Sequence, residues 1–132
     1  MIPKWCNDYV GMPFVDRGRD KSGCDCWGLV RLVLHERFNI AVKCFADDYR
    51  DAKDGDSISK ICVTEKELWS KVDKPKAGDV ILLLIKGLPW HIGIVVDPPW
   101  MLHIERGADA VMEKYDNLMW RNRVEGFYRY AG

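Results

Sequence analysis

Apolar residues recur at 29, 30, 33, 34 and 38, a spacing that predicts an amphipathic helix over 29–38. After residue 73 the pattern changes. Residues 80–85 form a continuous apolar run, 91–96 a second and 101–105 a third, with shorter candidates at 110–114 and 124–130. The turn-forming stretch 74–79 precedes them, and the Gly- and Pro-bearing connections 86–90 and 97–100 read as hairpin loops. Before the helix, 8–13 reads as the end of a short first helix broken by Gly11 and Pro13, and 16–23 as a charged, glycine-bounded loop. The acidic stretch 46–56 reads as a surface connection and 57–72 as helix. Helices first and an antiparallel sheet afterwards predict one α+β domain over 1–132.

Composition narrows the function classes. Apolar residues make up 48% of the chain, enough for a packed core. Twenty basic residues balance twenty acidic ones, so there is no electrostatic footprint for nucleic acid or for an anionic membrane surface. The run 80–85 is too short to insert in a bilayer. Met1-Ile2-Pro3-Lys4-Trp5 lacks the apolar centre of a signal peptide, so synthesis in the cytoplasm without one is expected. Five scattered cysteines (6, 24, 26, 44 and 62) suit reduced thiols better than a disulfide framework. Cys24 and Cys26 form one tight pair with no second pair after it. Recruiting His91 and His103 would match no common zinc spacing, so the site is read as metal-free.

The candidate chemistry sits at the start of the helix. Asp25 is a suitable N-cap, and Cys26 follows it in the first turn, where the helix dipole favours thiolate. A buried, inert cysteine is the plain alternative. A thiolate nucleophile needs a base, and that base an orienting partner. Of the three histidines, His35 lies nine residues after Cys26, on the opposite face of the same helix, which excludes it. His91 opens a candidate strand and shares a face with Gly93 and Val95, where the small Gly93 leaves room for a helix or substrate. His103 faces away from Leu102 and Ile104, and adjacent antiparallel strands can bring it beside His91.

These residues resemble the NlpC-type, papain-like cell-wall peptidases. Asp25-Cys26-Trp27-Gly28-Leu29-Val30 is similar to the family's helix start, and Gly78-Asp79-Val80 with His91-Ile92-Gly93-Ile94 to its strand motifs. The family's third polar position falls on His103. The variant in tail assembly proteins of lambda-like tailed phages also resembles Asp16-Arg17-Gly18-Arg19-Asp20 and Gly126-Phe127-Tyr128-Arg129. The resemblance implies a papain-like fold, N-terminal helices on a mainly antiparallel sheet. It also implies hydrolysis of peptidoglycan stem peptides, commonly between D-γ-glutamyl and a diamino acid. Cys26 would be the nucleophile, His91 the base and His103 its orienter, with the Cys26 amide as oxyanion donor and no cofactor.

Many wall hydrolases of the family place a substrate-contacting tyrosine where this chain has Phe14, which lacks the hydroxyl. Phe14, Arg17 and Trp90 are the candidates for substrate contact, with packing or a solvated loop as ordinary alternatives. The phage variant implies a virion-tail location and tail-tip proteins as partners. Cys24 is read as a packing residue, a disulfide or sulfenic exchange with Cys26 being the sharper alternative.

Overall fold

The computed structural model of the chain describes residues 2–42 and 68–131. A 3₁₀ turn, Lys4–Asp8, is followed by the two-residue strands β1 (Arg19–Asp20) and β2 (Gly23–Cys24), which pair with each other, and then by the helix α1 (Cys26–Phe38). Six strands complete the order: β3 (Trp69–Val72), β4 (Val80–Ile85), β5 (Leu88–Asp97), β6 (Trp100–His103), β7 (Val111–Lys114) and β8 (Val124–Tyr130). They form one sheet in the order β3-β8-β4-β5-β6-β7, every neighbouring pair antiparallel. This is the expected α+β fold.

Both faces of the sheet are covered, which explains why 80–85 is apolar throughout instead of alternating. On one face Leu29, Val30, Val33 and Leu34 of α1 pack with Leu82, Ile92, Ile94 and Leu102. On the other, Ile81, Leu83, Val95 and Met101 gather around Trp120, from the connection between β7 and β8. The helix ends at Asn39, a left-handed residue whose N–H donates to the Leu34 carbonyl. Lys86 and Gly87, both at positive φ, turn β4 into β5, so the hairpin is tighter than the five-residue connection expected and Trp90 belongs to the strand.

Three sequence expectations change. The first helix is a 3₁₀ turn ending at Asp8, after which the chain enters the loop to β1. The helix expected over 57–72 fails where it can be seen: Trp69–Val72 is an edge strand paired with β8. Residues 57–67 and the connection 46–56 lie outside the described residues, as do Cys44 and Cys62. Gly93 makes room, but for a histidine: a Cβ there would stand 3.0 Å from His103 Cβ, while α1 packs on the opposite face.

Candidate active site

The helix start is built by interlocking hydrogen bonds around a buried carboxylate. Asp25 Oδ1 accepts from the Gly28 amide and from Arg19 Nη1, each at 2.8 Å, and Oδ2 accepts from the Arg17 amide at 3.2 Å. Asp25 is buried, so the arginine balances a charge that would otherwise cost heavily to desolvate. Gly28 is required by close approach: a Cβ there would sit 2.0 Å from the Gly18 carbonyl oxygen. The loop 16–20 is thereby clamped onto the first turn, and Cys26 is held at the N-terminus of α1 with its side chain 5% exposed as a residue.

The second half of the site lies on β5, β6 and β7. His91 Nε2 is 2.9 Å from His103 Nδ1, and His103 Nε2 is 2.8 Å from Glu113 Oε1. His91 and His103 point to the Trp120 face of the sheet. The indole stacks on His91 (5.9 Å, 27°) and meets His103 edge-on (5.3 Å, 89°). Burial first, and electrostatic interaction with the neighbouring His103 second, push His91 from 6.5 down to about 3, so its ring stays neutral near pH 7.

The two halves meet at a cavity of about 460 Å³, within the range of small-molecule clefts. Cys26 and His91 both line it, with Phe14, Trp90, Ile85, Lys86, Ile104, Glu105 and Arg106. With His91 Nε2 turned to His103, Nδ1 is the nitrogen left to serve a group in the cavity.

Of the substrate-contact candidates, Phe14 and Trp90 are in the cavity wall. Arg17 is not. Its side chain is exposed, and it serves the site through its backbone amide on Asp25. The cationic lining is supplied instead by Lys86, in the connection expected to be a hairpin loop, and by Arg106, for which no role was expected. Glu113 and Trp120 were also missed. Glu113 could have been found from its strand parity, since it faces the same side as His103, whereas Trp120 lies in an irregular connection with no periodicity to read. Cys24 is fully buried, its thiol donates to the Asp20 carbonyl, and burial pushes it up to about 12, all fitting a packing role. Cys6, Cys24 and Cys26, the cysteines among the described residues, are not in disulfides. His35 is exposed. His103, Glu105 and Glu113 hold one nitrogen and two carboxylate oxygens within 4.8 Å of one another, a donor set in which His103 and Glu113 are already hydrogen-bonded.

A helix bearing a cysteine at its N-terminus, packed on an antiparallel sheet bearing histidines, defines the papain-like class. The NlpC/P60 family profile matches residues 11–129, and the chain belongs to that family of cysteine peptidases. Three solved structures share the fold. The NlpC/p60 domain of the peptidoglycan hydrolase SagA is 20% identical with a TM-score of 0.62, over 93% of this chain and 91% of that one. An NlpC/P60 family protein from Bacillus cereus ATCC 10987 is 18% identical, TM-score 0.64, over 100% of this chain and 42% of that one. A protein similar to lipoprotein, of the NLP/P60 family, from Staphylococcus aureus subsp. aureus Mu50 is 18% identical, TM-score 0.63, over 94% and 38%. The chain therefore spans about two fifths of the length of these last two. No curated protein matches it.

Proposed function

We propose that this protein is a cysteine endopeptidase that cleaves peptidoglycan stem peptides at the bond between D-γ-glutamyl and a diamino acid. One observation carries the reading: a neutral His91, hydrogen-bonded through Nε2 to His103, shares a cavity with a cysteine at a helix N-terminus. His91 Nδ1 takes the Cys26 proton as sulfur attacks the scissile carbonyl carbon. The oxyanion is met by the Cys26 N–H at the helix start, where the dipole favours a developing negative charge. The tetrahedral intermediate collapses to a thioester as His91 returns the proton to the departing amine, and water then releases the acid. Lys86 and Arg106 suit the carboxylates of a stem peptide.

Membership of the phage tail assembly variant, and action on the wall from a virion tail, are part of the same proposal and rest on the motif resemblance. A tail-tip structural role with little cleavage is favoured by a single feature, the hydroxyl-free Phe14 in the cavity wall. Digestion of purified muropeptides followed by mass spectrometry decides between them. Expected is a cut at the D-γ-glutamyl bond by the native chain and none by Cys26→Ala. Undiminished cleavage by Cys26→Ala rejects this mechanism, and no cleavage by either, with phage tails still dependent on the chain, favours the structural role.

A further inference from the structure

We infer that Glu113 is a positioning residue that fixes which nitrogens of His103 and His91 carry protons, and so leaves His91 Nδ1 able to act as a base. The inference rests on the reading of Cys26 and His91 as nucleophile and base. The argument is one of donors and acceptors. An ionised carboxylate only accepts, so the 2.8 Å contact from Glu113 Oε1 places a proton on His103 Nε2. A neutral imidazole with its proton on Nε2 offers Nδ1 as an acceptor. The 2.9 Å contact to His91 Nε2 then requires the proton to sit on His91 Nε2. His91, held neutral by its surroundings, is left with an unprotonated Nδ1, the form that can receive a proton from a thiol.

Without Glu113 the two rings have a second, equally bonded arrangement. His103 could carry its proton on Nδ1 and donate to His91 Nε2, whereupon His91 would carry its own proton on Nδ1 and have no basic nitrogen left for Cys26. Both rings are nearly inaccessible to water (His91 5% and His103 1% exposed), so solvent is poorly placed to choose between them. Glu113 is half-buried, at the rim of this hydrogen-bond chain, and it is the one of the two nearby carboxylates that makes the short contact, Glu105 being the other. Trp120 holds the planes of the two rings by stacking on one and bracing the other, and it supplies no acceptor. Orientation and proton placement therefore come from different residues.

The test reads protons directly and needs no substrate. Nitrogen-15 correlation spectra of the native chain at about pH 8, above the ordinary imidazole range, are expected to show both histidines as the Nε2–H tautomer. In Glu113→Gln, whose amide can donate as well as accept, His103 is expected to become a tautomer mixture, while Glu105→Gln leaves the tautomer as it was. Alkylation of Cys26 by iodoacetamide at the same pH should slow severalfold, up to about tenfold, in Glu113→Gln, in proportion to the share of His91 that loses its unprotonated Nδ1. Peptide turnover, where it is observed, should fall in kcat with KM little changed. A doubly protonated His103 or an Nδ1–H His91 in the native chain overturns the inference, as do unchanged tautomers and alkylation in Glu113→Gln. If Glu113→Gln does not fold, the native spectra alone decide. Failure of peptide cleavage with the expected tautomers rejects the wall-peptidase reading and leaves the role of Glu113 standing.

Discussion

The two faces of the central sheet are buried to a similar depth but are made for different work. The α1 face is closed by apolar side chains such as Leu34 and Ile94. The opposite face holds a smaller apolar cluster and, at its edge, two histidines leaning on one indole. Packing on the first face is redundant, because many contacts share the load. On the second, one side chain sets the planes of both rings. Stability and function are therefore expected to separate between the faces.

The sharpest way to break that comparison is a pair of truncations. Trp120→Ala should cost about 3–5 kcal/mol and also remove most of the Cys26 alkylation rate, because the rings lose their platform. Leu34→Ala, fully buried on the other face, should cost about 2–5 kcal/mol yet leave the alkylation rate of the folded fraction close to native. Urea unfolding together with alkylation at low denaturant measures both. Equal loss of reactivity in the two variants would show that the faces are not separable.

Acid sensitivity should also belong to the histidine face. The folded protein holds His91 down to about 3, below its ordinary 6.5, so between these values the unfolded chain binds a proton that the folded one refuses. Stability contributed by this group is thus full above pH 6.5, falls as pH drops through the window and flattens below about 3. The loss is on the order of a few kcal/mol. Urea midpoints of the native chain should fall more steeply from pH 6.5 to 4 than those of His91→Gln. Parallel profiles would mean that His91 is not held neutral by the fold.

How far the site could be read in advance follows the same division. Local signals were legible because they are governed by neighbours in sequence. Asp25 caps the helix it precedes, residues 124–130 form the strand their pattern suggests, and the parity of 91, 93 and 95 places His91 and Gly93 on one face. The parity argument extended to His103, since β5 and β6 are joined by a short hairpin. What was not legible depends on distant partners. Trp69–Val72 has two exposed central residues and gains its strand conformation from pairing with β8, more than fifty residues on, as Ser70↔Arg129 shows. Glu113 looks like any surface glutamate until the β6–β7 register sets it opposite Met101 and diagonal to His103. The Gly78-Asp79 pair, read only as a motif, is a clamp. Buried Asp79 takes a two-pronged contact from Arg129 at 2.8 Å on each oxygen, tying the turn before β4 to the end of the chain.

The smallest expected effect sharpens what the indole contributes. Trp120 Nε1 is buried with no acceptor among the described residues, and a donor so placed costs about 1–3 kcal/mol of lost hydration. Trp120→Phe removes that donor and keeps an aromatic ring under His91, but it also leaves unfilled volume where the larger indole stood. The two terms oppose each other, so stability should stay within about 1–2 kcal/mol of native, and Cys26 alkylation within severalfold. If Phe were as damaging as Ala, the ring plane would not be what the histidines rest on, and the indole N–H would have to be supplying something to the pair. A small gain in stability with reactivity retained would show the opposite: the aromatic face alone supports the rings, and the buried N–H is a cost carried for the sake of indole's size.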